Sequence, residues 1–253
     1  MEVKTVLVTQ ARMGSTRLPG KVLLEVNKTP LLKIHLDRLH KSKNVDKIIV
    51  ATTDNSDDDI IEKLSKEWGY EVFRGSENDV LDRFYQAVKN LNPEWVVRVT
   101  SDCPLIDSAL IDSVVSFVKQ KKCDYGTNSF IENYPDGQDI EVFKFNALES
   151  AWFNAQLLSE REHVTPYIRN NSDQKGFTLF TAINFPCEFD YSNIRMTVDQ
   201  IQDFELISKL INALGTNKTW REYTKYIIQN DLIKINGSII RNEGLLKSLK
   251  NDK

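Results

Sequence analysis

Cysteine, histidine and methionine each occur only three times in 253 residues. Cys103, Cys123 and Cys187 are far apart and show no CxxC spacing. This excludes a disulfide framework and argues against zinc. HxxH and HExxH patterns are also missing. Ten glycines and seven prolines leave little material for long disordered linkers. No apolar run approaches the roughly 18 residues of a membrane helix, and none follows basic residues at the N-terminus as a secretory signal would. Positive charge is not in excess: 33 Lys and Arg against 36 Asp and Glu give −3. A broadly basic nucleic-acid surface is therefore not expected, although a local basic pocket is compatible with the balance. The remaining profile, 41% hydrophobic and 27% charged, is that of a soluble, cytoplasmic protein able to bury a substantial core.

The patterning is that of an α/β chain. Short β-branched runs at 4–9, 46–53, 71–75 and 95–102 read as strands, and helical patterns at 30–41, 58–68, 78–90 and 107–119 alternate with them. This order predicts a mostly parallel sheet covered on both faces. Ligands of such sheets bind beyond the carboxyl ends of the strands. The second half is less regular. Strands are expected at 139–145, 177–185 and 195–199, with helices at 146–157 and from 163. The tail, 201–253, reads as mainly helical. No repeat or linker divides the chain, so 1–253 is expected to be one domain with a β-rich insert at about 123–195 and C-terminal helices.

Two strand ends carry chemistry. The first strand runs into Gln10-Ala11-Arg12-Met13-Gly14-Ser15-Thr16-Arg17-Leu18-Pro19-Gly20-Lys21. Gly14 permits close backbone approach to a ligand, backbone N–H groups can cradle phosphate oxygens, and Arg12, Arg17 and Lys21 supply fixed charge. A triphosphate suits this loop, which matches neither the Walker nor the GxGxxG pattern. A solvated basic loop is the alternative. Asp102, ending the 95–102 strand, and Asp199, ending the 195–199 strand, are candidates to hold Mg2+, which takes carboxylate and phosphate oxygens. Asp199 equally suits a helix cap near 201, and Asp107 a cap at 107.

The stretch QARMGSTRLPGKVL resembles the signature of sugar-activating nucleotidyltransferases, above all the cytidylyltransferases of the spore-coat-polysaccharide and acylneuraminate type. The resemblance follows motif order from residue 4 to about 200. It implies a Rossmann-like nucleotidyltransferase fold with three α/β/α layers, CTP as co-substrate, and a triphosphate held by Arg12, Ser15, Arg17 and Lys21. It also implies Mg2+ on Asp102 and Asp199, and a homodimer formed through 123–195. The DVLxR segment then lies beside the nucleoside, with Asp79 and Arg83, although an i,i+4 ion pair between these two is the plainer reading. Thr52 and Thr100 are further nucleotide candidates, as are Gln10 and Ala11.

On the acceptor side, PDGQDIEV puts Asp139 and Glu141 on one strand face, and Arg161 in SEREHVTPY can hold a carboxylate or phosphate bidentately. His163 can bond a hydroxyl, and Arg195 can neutralise an anionic substrate or the leaving phosphate. Tyr125, Asn128 and Gln138 are lesser candidates. The expected partners are CTP and an anionic sugar or sugar phosphate, with no nucleic acid and no membrane. A phosphorylated non-sugar acid as acceptor, another nucleotide, or a noncatalytic nucleotide-sugar-binding module remain as rivals.

Overall fold

The computed structural model describes residues 3–252. The first half runs β1 (Thr5–Gln10), the small hairpin β2 (Glu25–Val26) and β3 (Thr29–Pro30), α1 (Leu31–Leu39), β4 (Lys47–Thr53), α2 (Asp59–Glu67), β5 (Glu71–Gly75), α3 (Val80–Val88), β6 (Trp95–Thr100) and α4 (Ser108–Lys121). The second half runs β7 (Tyr125–Thr127), β8 (Glu141–Lys144), α5 (Phe145–Asn154), α6 (Leu158–His163), α7 (Pro166–Asn170), β9 (Ala182–Asn184), α8 (Ile201–Leu214), α9 (Trp220–Gln229) and α10 (Glu243–Asn251).

Seven strands form one sheet in the order β5-β4-β1-β6-β8-β7-β9. The first four are parallel, β8 is antiparallel to both neighbours, and β9 is parallel to β7. Alternation along the strands explains the two apolar layers. In β1, Leu7 packs into one layer and Val6 and Val8 into the other. In β6, Val97 and Val99 join Leu7 while Val96 faces the opposite side. Helices α1, α4, α8 and α9 cover the first layer, and α3, α5 and α7 the second. The expected three-layer fold is thus present. The 123–195 section adds three strands to the same sheet, with three helices among them.

The second half departs from its sequence-based boundaries. Only Ala182–Asn184 of the expected 177–185 strand is strand, because its partner β7 is three residues long and offers no further pairing. Residues 195–199, expected as a strand, form no ladder. Among the described residues their one β-bridge joins Arg195 to Asp136. The expected 146–157 helix ends at Asn154. Between α6 and α7 the chain makes a three-residue turn, with Thr165 N donating to His163 O at 2.8 Å across Val164. Val164 has φ +72°, a costly conformation for a β-branched residue.

Candidate active site

Register places the site. Gln10 pairs with Thr100, so the loop after β1 and the Ser101-Asp102 segment after β6 leave the sheet side by side. The 11–20 loop folds around one carbonyl, Met13 O, which accepts from Ser15 N and Gly20 N at 2.8 and 3.0 Å. Asp58 anchors it by accepting from Met13 N at 2.7 Å and from the Thr53 hydroxyl. Gly20, at φ +68°, turns the chain through the left-handed region and delivers Lys21. A Cβ on Gly14 would stand 3.2 Å from Glu77 Oε1, the atom paired with Arg12 at 3.1 Å.

Asp199 reaches the loop by a separate route. Met196 N donates to Asp136 O, and Val198 N donates to Asp102 O at 2.8 Å. The 195–199 segment is thereby laced to Asp102. Lys21 Nζ then lies 3.0 Å from Asp102 Oδ2 and 2.7 Å from Asp199 Oδ1. Burial alone would lower the Lys21 pKa, but the two carboxylates outweigh it and raise it. Burial would likewise raise the carboxyls of Asp102 and Asp199. The Lys21 charge, joined at Asp199 by Arg17 and Arg195, holds both below the usual range. All three groups are ionised at neutral pH.

Asp199 is not a helix cap. Its side chain is taken by Lys21, Arg17 and Arg195, and Asp203 accepts instead from the backbone N–H groups of Asp199 and Gln200. Asp107 does cap α4, accepting from Ala109 N at 2.9 Å. Arg195 is buried and ion-paired with Asp136, Asp199 and Asp203. It also lines the cavity described below. One of its nitrogens lies 2.8 Å from Asp199 Oδ2.

These groups line a cavity of about 880 Å³. Gln10, Ala11, Arg12, Ser15, Arg17 and Lys21 line it, as do Arg83, Thr100, Asp102 and Asp199. Burial and the charge of Arg12 lower the Arg83 pKa to about 10. Asp139, Glu141, His163 and Arg169 line the same cavity. There Glu141 accepts from Arg98 and Thr165 at 2.5 Å and from Tyr125 Oη at 2.6 Å. Arg98 and Arg169 keep Glu141 ionised against its burial. Burial and Arg98 push His163 below its ordinary value, so its ring is neutral at neutral pH.

Several expected site residues lie outside the cavity lining. Asp79 does not pair with Arg83. It caps α3 by accepting from Asp82 N at 2.9 Å, and it takes the guanidinium of Arg161 at 2.5 Å. Arg161 also donates to Trp152 O, so its fork is engaged by Asp79 and this carbonyl. Thr52 is buried within β4. Asn128 donates to Gln138 O and accepts from Ile140 N, while Gln138 bridges Leu105 O and Asp107 N. Tyr125 supports Glu141 from behind. These three are scaffolding for the 135–142 segment.

The C-terminal helix is a part of the site that sequence reasoning missed. Residues of α10 line the cavity: Glu243 pairs with Arg17 at 2.8 Å, and Ser248 bonds both His163 and Glu162. Just before it, Arg241 pairs with Asp139 at 2.6 Å. No local motif announces this, because every partner is distant in sequence.

A family model described as cytidylyltransferase matches residues 6–234. The spore coat polysaccharide biosynthesis protein SpsF of Bacillus subtilis (strain 168) is 37% identical over 82% of this chain and 86% of its own length. The 3-deoxy-manno-octulosonate cytidylyltransferase of Thermodesulfovibrio yellowstonii is 30% identical over 88% of this chain and 92% of its own. A solved cytidylyltransferase from Leptospira borgpetersenii is 36% identical and superposes with a TM-score of 0.84, covering 95% of this chain and all of that one. On these matches the chain belongs to the cytidylyltransferase family of nucleotidyltransferases.

Proposed function

We propose that the protein transfers CMP from CTP to a hydroxyl of an anionic sugar or sugar acid, releasing pyrophosphate, in the synthesis of a surface polysaccharide. The observation that carries this reading is the convergence of Lys21, Asp102 and Asp199 beside a cationic loop in one polar cavity. The acceptor oxygen attacks the α-phosphorus in line with the departing pyrophosphate. Arg12, Arg17 and Lys21 hold the triphosphate and stabilise charge on the leaving oxygens. Arg195 keeps Asp199 in place, and Arg83 lines the nucleotide side. Glu141 and His163 face the acceptor.

Among the described residues, no cluster of three or more His, Cys, Asp or Glu side chains could hold a metal alone. Asp102 and Asp199 nonetheless turn one oxygen each toward a common cation, the Lys21 ammonium. Two carboxylates completed by phosphate oxygens and water suit Mg2+. These two residues would hold it, and when bound it would polarise the phosphate being transferred.

We also read the protein as a cytoplasmic homodimer. Ile131, Phe177, Leu179 and Phe189 are exposed apolar side chains of the 123–195 section, whose strand β9 is the open edge of the sheet. Among the described residues no helix is long and apolar enough to cross a membrane. The deciding experiment is pyrophosphate release with the four nucleoside triphosphates and a panel of sugar acids, with and without Mg2+. Turnover with CTP that is lost in Asp102→Ala supports the reading; equal turnover in that variant refutes it. Light scattering that finds only monomer at micromolar concentration refutes the dimer.

A further inference from the structure

The charged side chains lining the cavity are almost all spoken for. Arg12 is paired with Glu77, Arg17 with Asp199 and Glu243, and Lys21 with the two aspartates. Arg98 is paired with Glu141, Arg195 with three aspartates, and Lys247 with Glu243. Arg83 has no ion pair but donates to Ser76 O at 2.7 Å. Arg169 is different. Among the described residues its guanidinium makes no hydrogen bond and no ion pair, although it lines the same cavity. It is held by packing, with its central carbon 4.9 Å from the Phe130 ring centroid. A guanidinium on an aromatic face keeps its N–H donors free at the edge, in a fork that matches an oxyanion.

Its surroundings explain why it stays charged and why it is unpaired. Tyr125, Glu141, Asp139 and Glu132 raise its pKa. Each of these has other partners: Glu141 is bonded to Arg98, Thr165 and Tyr125, Asp139 to Arg241, and Glu132 to Asn242. The wall that carries Arg169 is fixed in turn, since Thr165, four residues earlier, bonds Glu141. Glu141, Asp139 and Glu132 line the same cavity as Arg169, and none of them lies in the 11–20 loop.

We propose that Arg169 is the specificity-determining residue that receives the oxyanion of the acceptor, a carboxylate or a phosphate. This rests on the reading of the protein as a cytidylyltransferase with an anionic acceptor. It replaces Arg161, whose fork is occupied by Asp79. The acceptor anion docks edge-on to the Arg169 fork over Phe130, and the attacking hydroxyl is directed away from it toward the nucleotide.

Two measurements test it. The first is pyrophosphate release from CTP with 3-deoxy-manno-octulosonate in wild type, Arg169→Lys and Arg169→Ala. Loss of a charge-assisted hydrogen bond raises the acceptor KM roughly ten- to a hundredfold in Arg169→Ala, while the CTP KM stays within about twofold. Arg169→Lys recovers part of the loss, because a point charge remains without the fork. An unchanged acceptor KM, or a CTP KM that rises equally, overturns the proposal. The second measurement needs no turnover: phenylglyoxal labelling of the wild-type protein, mapped by mass spectrometry, with 3-deoxy-manno-octulosonate, glucose 6-phosphate or glucose added. Protection of Arg169 by the sugar acid identifies a carboxylate, and protection by the sugar phosphate identifies a phosphate. Protection by neither, or by glucose equally, overturns the proposal. A failure of the cytidylyltransferase reading looks different: no pyrophosphate is released from CTP, yet Arg169 is still protected by an anion.

Discussion

Replacing Lys21 with methionine tests the centre of the site, because the variant keeps the side chain's length and removes its charge. Asp102 and Asp199 then face each other with no cation between them. Removing one partner of a buried pair costs about 3–5 kcal/mol. Two facts reduce that figure here. Asp199 keeps Arg17 and Arg195, and the Asp102 side chain is 26% exposed, so water takes over part of its solvation. A loss of about 1–3 kcal/mol in folding stability follows. The loss depends on pH. In the wild type both carboxyls titrate below their ordinary value of 3.8. They therefore contribute stability that is complete above that value and disappears as pH falls through the lower folded-state values. In Lys21→Met the Asp102 contribution shrinks, so the gap between the two proteins is widest near neutrality and closes in acid. Turnover falls further than stability, by about a hundred- to a thousandfold, since a donor to charge developing in the transition state has been removed. Urea unfolding at several pH values and pyrophosphate release at saturating CTP measure the two effects. A variant as stable as wild type near pH 7, or one with turnover within tenfold of it, would refute the electrostatic account of this site.

Four further outcomes follow from particular contacts. Glu243→Gln removes the carboxylate that competes with the triphosphate for Arg17, so the CTP KM falls, less so at high salt. The same substitution made in Arg17→Ala should have no such effect. His35 is fully buried between Thr9 and Cys103 O, and burial lowers its pKa from 6.5 to about 4. Because the unfolded chain binds the proton first, about 3 kcal/mol present above pH 6.5 is lost as pH drops to about 4, and His35→Gln flattens that slope in urea titrations. Gly137, at φ +97°, has no room for a Cβ, which would lie 2.7 Å from Met196 C and Thr197 N. Gly137→Ala should cost roughly 1–3 kcal/mol and lower turnover by displacing the segment that carries Asp199, as seen by thermal melts and initial rates. Arg161→Ala should lower the melting temperature, by releasing α6 from Asp79, and leave the acceptor KM unchanged.

How much of this was readable in the sequence depends on the range of the interactions involved. The sheet's first half was legible because burial on both faces leaves its mark residue by residue in β1, β4 and β6. The cationic loop was legible because Arg12, Arg17 and Lys21 are close together in the chain. The short strands β7 and β9 were harder, since each exists through pairing with a distant segment rather than through its own pattern. The site shows the same division more sharply. Asp102 and Asp199 could be suspected as strand-end acids, but their joint grip on Lys21 spans 81 and 178 residues. Arg161 and Arg169 lie in one short segment and look equally suited to an anion. Only the fold separates them, by setting Asp79 against the first and Phe130 beneath the second. A sequence counts cations, whereas a binding site needs one whose hydrogen bonds are still unspent. That property belongs to the pairing of every other charge around the cavity, including those brought by α10 from the far end of the chain, and so it could not be read from any local motif.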